Sequence, residues 1–136
     1  MVENSSKKYN QLYVKWMFLR NSETFLSEHP KLQGKTIAIY GMGNLGNILL
    51  GEFGLQNRDV KYVVDQNWQC VFADCEMFTV EENLEPVDIM IITPICEYEN
   101  IVDKLRSKVD CEFISIEVLV NDLWTEKMKF FEKNAL

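Results

Sequence analysis

Three glycines, Gly41, Gly43 and Gly46, stand at the spacing G-x-G-x-x-G, and Asp65 follows at the end of the next apolar run. Those residue types in that order fit the holding of a nucleotide diphosphate; the alternative is a tight strand–helix turn that keeps the fold without the ligand, with Asp65 a solvated strand end. Gly41 permits a tight turn, Gly43 lets backbone approach a pyrophosphate, and Gly46 lets a helix settle close on a strand. Met42, Asn44 and Leu45 complete the loop and open the helix, whose free N–H groups and partial positive charge favour an anion. Asp65 can accept hydrogen bonds from a ribose diol and would repel a 2′-phosphate, which favours NAD over NADP.

A glycine motif carries this meaning only between the right elements, and the flanking pattern supplies them. Residues 36–40 form a short apolar run that reads as a buried parallel strand. Leu45, Ile48, Leu49 and Phe53 then recur at helical spacing, and a second apolar run over 60–64 ends in Asp65. The run 87–93 is the clearest strand of the chain. Its carboxyl end, Thr93 and Pro94, is expected beside the glycine loop, where the strand order reverses and ligands settle in open α/β sheets. Thr93 and Pro94 are therefore further cofactor-binding candidates.

The rest of the chain is read outward from that unit. Residues 1–34 form an N-terminal arm and 35–136 the nucleotide-binding domain, one domain overall. Residues 1–6 are polar and expected to be disordered. From Lys7 the pattern is helical, with Tyr9, Leu12, Tyr13, Trp16 and Met17 on one side. Ser22 can cap a second short helix carrying Phe25 and Leu26, which Pro30 ends. The large aromatics of this arm must bury against the domain, a second subunit or a partner.

Beyond Asp65 there is too little chain for the usual crossover helix. A small extra strand over 70–73, a turn at 73–74, an edge strand over 77–79 and a helical turn over 80–84 are expected instead. A helix over 97–108, a strand over 113–116 and a terminal helix over 118–131 follow. The sum is an α/β fold: a Rossmann-like open parallel sheet of five strands in order 3-2-1-4-5, helices on both faces, and extra helices at both ends.

Composition excludes several functions. A chain of 136 residues with 47% hydrophobic and 26% charged residues is an ordinary globular domain. Its net charge of −7, with no run of more than two lysines, argues against nucleic acid. No apolar stretch approaches the roughly 18 residues of a membrane span. Without a signal-peptide core the chain is expected to be cytoplasmic. Cys70, Cys75, Cys96 and Cys111 form no C-x-x-C pair and read as free thiols. Cys96 has no accompanying base and is not taken as a nucleophile. The sole histidine, His29, precedes Pro30 and is expected at the surface, so neither a histidine catalytic pair nor a histidine metal site is expected.

The stretches WMFLRNSETFLSEHPKLQGKTIAIYGMGNLGNILLGEF, VKYVVDQN, VDIMIITPICEYENIVDKL and FISIEVL together resemble a known group. It comprises small bacterial Rossmann-like proteins or domains of capsule and surface-polysaccharide gene clusters, described as sugar-nucleotide epimerase-like or NAD(P)-binding, most without an established activity. The resemblance runs over roughly residues 9–124 and implies that Gly41, Gly43, Gly46, Asp65, Thr93 and Pro94 are the recognisable positions. A more remote similarity is to the N-terminal nucleotide-sugar-binding domain of bacterial sugar acyltransferases. The chain departs from the group in placing Gly51 and Gly54 in the first crossover helix, which is expected to be short or loosely ended. A ligand-gated regulatory domain of the potassium-channel type matches in size and fingerprint but not in the arm or the Thr93–Pro94–Ile95 stretch.

Catalytic groups are harder to find. None of the five tyrosines is followed four positions later by lysine, as short-chain dehydrogenases and epimerases require. A Rossmann unit positions a cofactor, and chemistry needs further parts. The reading is thus a binding module for NAD or a nucleotide-sugar, an accessory or regulatory protein of surface-polysaccharide synthesis. It is expected to form a homodimer or to dock on a synthesis enzyme through its terminal helices. The alternatives are an interaction domain that has lost its ligand, and part of an oxidoreductase or epimerase completed by a partner.

Overall fold

The computed structural model describes residues 2–65 and 76–134, with only the backbone of residues 2–4. Five strands form one parallel sheet in the order β3-β2-β1-β4-β5. They are β1 (Ile37–Tyr40), β2 (Tyr62–Val64), β3 (Met77–Phe78), β4 (Ile89–Ile92) and β5 (Glu112–Ser115). The order expected from sequence is therefore the observed one. The small strand expected over 70–73 and the turn at 73–74 lie outside the described residues, as do Cys70 and Cys75.

Both faces of the sheet are covered, which is why its strands are continuous apolar runs rather than alternating ones. Ile37, Ile39, Val63, Ile89, Ile91 and Ile114 point to one face and join the core formed with helices α1 (Val2–Asn21), α2 (Asn44–Leu55) and α4 (Ile116–Asn134). Ala38, Tyr62, Val64, Met90 and Ile92 point to the other, where α3 (Tyr98–Leu105) adds Ile101, Val102 and Leu105. The central register sets Tyr40 beside Val64 on one side and Ile92 on the other, so β1, β2 and β4 end at one level. At the opposite rim Thr36 and Asp88 tie β1 to β4 reciprocally. The Thr36 amide donates to Asp88 Oδ2 and the Asp88 amide to Thr36 Oγ1, each at 2.8 Å.

Several local expectations are corrected. The first helix begins at Val2, not Lys7, so residues 2–6 are helical rather than disordered. Residues 5–8 are exposed, and helix propagation adds a hydrogen bond per residue without needing an apolar face. The second short helix is instead two 3-10 turns, Leu26–Glu28 and Pro30–Leu32. Pro30 opens the second turn rather than simply ending the first, as its fixed φ allows. The stretch after β3 is a tight turn closed by Glu82 N donating to Thr79 O at 3.2 Å, not a helical turn. The helix expected over 97–108 is a 3-10 turn (Ile95–Glu97) followed by α3, which stops at Leu105. The last helix starts directly at Ile116, because the Ser115 hydroxyl accepts the Glu117 amide at 3.1 Å and caps it. Helix α2 runs for 12 residues, so Gly51 does not interrupt it, and it ends one residue after Gly54.

His29 is not a surface residue. It is 5% exposed, with Nδ1 accepting the Lys31 amide at 3.1 Å and Nε2 lying 2.9 Å from Asp122 Oδ2. Because Nδ1 accepts, the proton of the neutral ring sits on Nε2, facing the carboxylate. His29 thus fastens the arm to α4.

The arm packs on its own domain. Leu12, Trp16 and Leu19 are at most 2% exposed. Phe18 sits edge-on to Trp124 of α4 with ring centroids 5.2 Å apart, and Lys15 Nζ donates to Asn121 Oδ1 at 3.1 Å. On the α2 side, the fully buried Glu52 carboxylate accepts the Trp16 indole N–H at 3.0 Å and the Leu26 amide at 2.7 Å. Arg20 lies 3.3 Å away. Burial, the largest influence, raises the Glu52 carboxyl above its usual range, while the Leu26 amide, Trp16 and Arg20 pull it back. Among the described residues no helix is long and apolar enough to cross a membrane.

Candidate functional site

The glycine loop turns sharply out of β1 because Gly41 adopts φ +91°, a conformation that side-chain-bearing residues rarely reach. A Cβ there would also lie 2.6 Å from Thr93 Oγ1 and 2.8 Å from Pro94 Cδ. Thr93 is 3% exposed, and its single hydroxyl proton is shared between Tyr40 O at 2.9 Å and Gly41 O at 2.7 Å. The end of β4 therefore clamps the end of β1. Gly46 is required by the next turn of chain, since its Cβ would fall 1.8 Å from Gly41 O. Asn47 in the first turn of α2 braces the loop, its amide donating to Met42 O at 2.8 Å and Gly43 O at 3.1 Å.

Gly43 is different. A Cβ at this position would meet nothing within 4 Å. Gly43 lies on the wall of an open cleft of about 460 Å³ at the carboxyl ends of the strands, where β1 and β4 diverge in chain order. Gly41, Asn44 and Leu45 line it with Gly43, and so do Asp65 from the end of β2 and Thr93 and Pro94 from the end of β4. Seven of the nine positions singled out from sequence thus meet on one surface.

Met42 and Gly46 do not line it. Met42 is 2% exposed in the core beneath α2, and Gly46 is packed against the Gly41 carbonyl. What Met42 gives the site is its backbone. Its amide donates to Asp65 Oδ2 at 2.6 Å, a short charge-assisted bond. Asp65, expected to meet a ribose, thus also holds the glycine loop to β2.

The cleft has a second half that sequence reasoning missed. Glu97, Asn100, Ile101 and Lys104 line it from the start and first face of α3, Tyr40 from the end of β1, and Tyr9 from α1. The positions 97, 100, 101 and 104 are the i, i+3, i+4 and i+7 of one helical face, so the signal was present once the cleft was known to lie there. Among the described residues that line it, Lys104 is the one cation, against the carboxylates of Asp65 and Glu97. The field of those carboxylates reaches Tyr40, whose hydroxyl is held above its ordinary pKa by burial first and then by Asp65 and Glu97. Cys96 and Glu99 line not this cleft but a neighbouring open groove of about 680 Å³, which shares Glu97 and Asn100 with it.

In chemical terms the surface offers a helix N-terminus and Lys104 to phosphate, carboxylates and an amide to hydroxyl groups, and two phenols to a ring. Comparison with known proteins adds no name to this arrangement: no protein-family model, curated protein or solved structure matches the chain.

Proposed function

We propose that this chain is a nucleotide-binding module whose ligand is NAD or a nucleotide-sugar. It acts as a non-catalytic accessory or regulatory protein in bacterial surface-polysaccharide metabolism. The observation that carries the nucleotide reading is the convergence of the glycine loop, Asp65 and the Thr93–Pro94 strand end on one cleft at the switch point of the sheet. Gly43 sharpens it. The fold needs glycine at 41 and 46, whereas a side chain at 43 would obstruct only the contents of the cleft. A carboxylate offers about four lone-pair sites, so a ribose hydroxyl and the Met42 amide are compatible on Asp65. The polysaccharide setting rests on the resemblance of the sequence. On this reading partners dock on the terminal helices, where Val14, Phe130 and Phe131 remain exposed.

The rival reading is an interaction domain that has kept the fold and lost its ligand. It draws on the Asp65–Met42 bond and on the excess of carboxylates over cations in the cleft. Thermal unfolding separates the two. At a hundred times Kd, a one-site ligand adds about 2.7 kcal/mol, on the order of 10 °C for a chain this size. We expect such a shift with NAD or a UDP-sugar, smaller with NADP, and its loss in Gly43→Ala, which melts like the wild type without ligand. A variant that keeps the full shift removes Gly43 from the site, and a wild-type chain that shifts with none of these compounds favours the rival.

A further inference from the structure

We infer that the N-terminal helix is part of the ligand site, and that Tyr9 positions the group on the far side of the diphosphate from the nucleoside. The inference rests on the nucleotide-binding reading above and extends it to a residue outside the glycine motif. Its ligand class is a nucleoside diphosphate that carries a second ring.

The fold fixes which end of the cleft Tyr9 serves. Asp65 ends β2, and Pro94, Glu97, Asn100 and Lys104 follow β4, so they flank the glycine loop from opposite sides of β1. Helix α1 lies between α2, through Trp16 and Arg20 on Glu52, and α4, through Phe18 on Trp124 and Lys8 at 3.4 Å from Glu117. Helix α4 leaves the sheet from β5, beyond β4. Tyr9 therefore approaches the cleft from the β4 side, opposite Asp65. A nucleoside with its ribose at Asp65 and its phosphates at the glycine loop directs whatever follows the second phosphate toward Tyr9 and Pro94.

Tyr9 is also placed to contact a ligand rather than to complete the core. Tyr9, Leu12, Trp16 and Leu19 follow one another on one face of α1. The last three are sealed, whereas Tyr9 is half-buried where that face runs past the sheet and onto the cleft wall. A ring laid against it would remove the remaining aromatic surface from water, and α1 is held firmly enough by the buried Glu52 bonds to present it. Asn100 and Lys104 face the same end with hydrogen-bond donors.

The test is calorimetric titration of the full chain with ADP, NAD and UDP-glucose, in wild type, Tyr9→Ala, Tyr9→Phe and Gly43→Ala. We expect at least one ring-bearing probe, NAD or UDP-glucose, to bind wild type more tightly than ADP. Tyr9→Ala lowers that affinity about tenfold, to the level of ADP, and leaves ADP unchanged, which also reports an intact fold. Tyr9→Phe restores it to within about twofold. In the wild type, the same probe protects Tyr9 from nitration while Tyr13, 40% exposed on the same helix and outside the cleft, reacts as before. If Tyr9→Ala weakens ADP as much as the ring-bearing probe, or weakens neither, the inference fails while the nucleotide site stands. If wild type binds no probe, or Gly43→Ala binds all of them unchanged, the underlying reading fails with it.

Discussion

Two carboxylates each take a backbone amide from a distant segment, Glu52 from Leu26 at 2.7 Å and Asp65 from Met42 at 2.6 Å. Their surroundings are opposite. Glu52 is sealed, and its other contacts are the buried indole N–H of Trp16 and the partly exposed guanidinium of Arg20. Asp65 stands half-buried on the rim of the cleft. The same chemical device is a fastening where water is excluded and a means of shaping a binding surface where water enters. What a carboxylate does is set by what can still reach it.

The largest expected effect breaks the sealed member. Glu52→Ala leaves the Trp16 and Leu26 donors and Arg20 without their acceptor, and we expect a loss of about 3–5 kcal/mol in denaturant unfolding. A loss below about 1 kcal/mol would mean that water or a neighbour replaces it. The same residue sets a pH dependence. Its folded pKa lies above the ordinary 4.5, so the folded chain holds the proton more tightly than the unfolded one. Stability carried by the neutral form is full below the unfolded value and falls as pH rises toward the folded one, then levels off. Relative to Glu52→Gln, wild type should therefore lose stability as the pH is raised through that window.

A smaller effect is expected at the open member. Asp65→Ala removes the charge-assisted bond to the Met42 amide in a half-buried setting, which we expect to cost about 1 kcal/mol of stability, and abolishes the nucleotide-induced melting shift. A loss as large as that of Glu52→Ala would make Asp65 a fastening too and end the contrast. The smallest effect has the other sign. Gly51 and Gly54 are exposed on α2 with nothing within 4 Å of an added Cβ, so Gly51→Ala and Gly54→Ala should each stabilise by about 0.5–1 kcal/mol. They should leave ligand binding untouched, since neither lines the cleft.

The sequence made the sheet order legible because each strand is a separate apolar run and the glycine spacing orients the first three elements. It made half of the cleft legible for the same reason: Gly43, Asp65 and Thr93 lie at strand ends, where local pattern and topology agree. The other half depends on how helices pack, and no local period encodes that. Tyr9 reads as one more apolar position of α1, and only the packing of α1 on the domain brings it to the rim. His29 next to a proline reads as loop, and its burial comes from Asp122, far along the chain. Glu52 could have been suspected, since 45, 49, 52 and 53 share one helical face and a carboxylate among leucines and phenylalanine needs a partner.

The Thr93 hydroxyl has a consequence for natural variation. It occupies the space that any side chain at position 41 would need, with Pro94 behind it. Positions 41, 93 and 94 are therefore sterically coupled across two strands. A side chain at 41 would meet both Thr93 and Pro94 and would also have to adopt φ +91°, so enlarging the space at 93 and 94 would still leave a strained turn. The walls of the cleft carry no such constraint from Gly41, and Tyr9, Asn100 and Lys104 line it from helices rather than from the clamped strand ends. New ligand preferences would arise there, over a floor that stays the same.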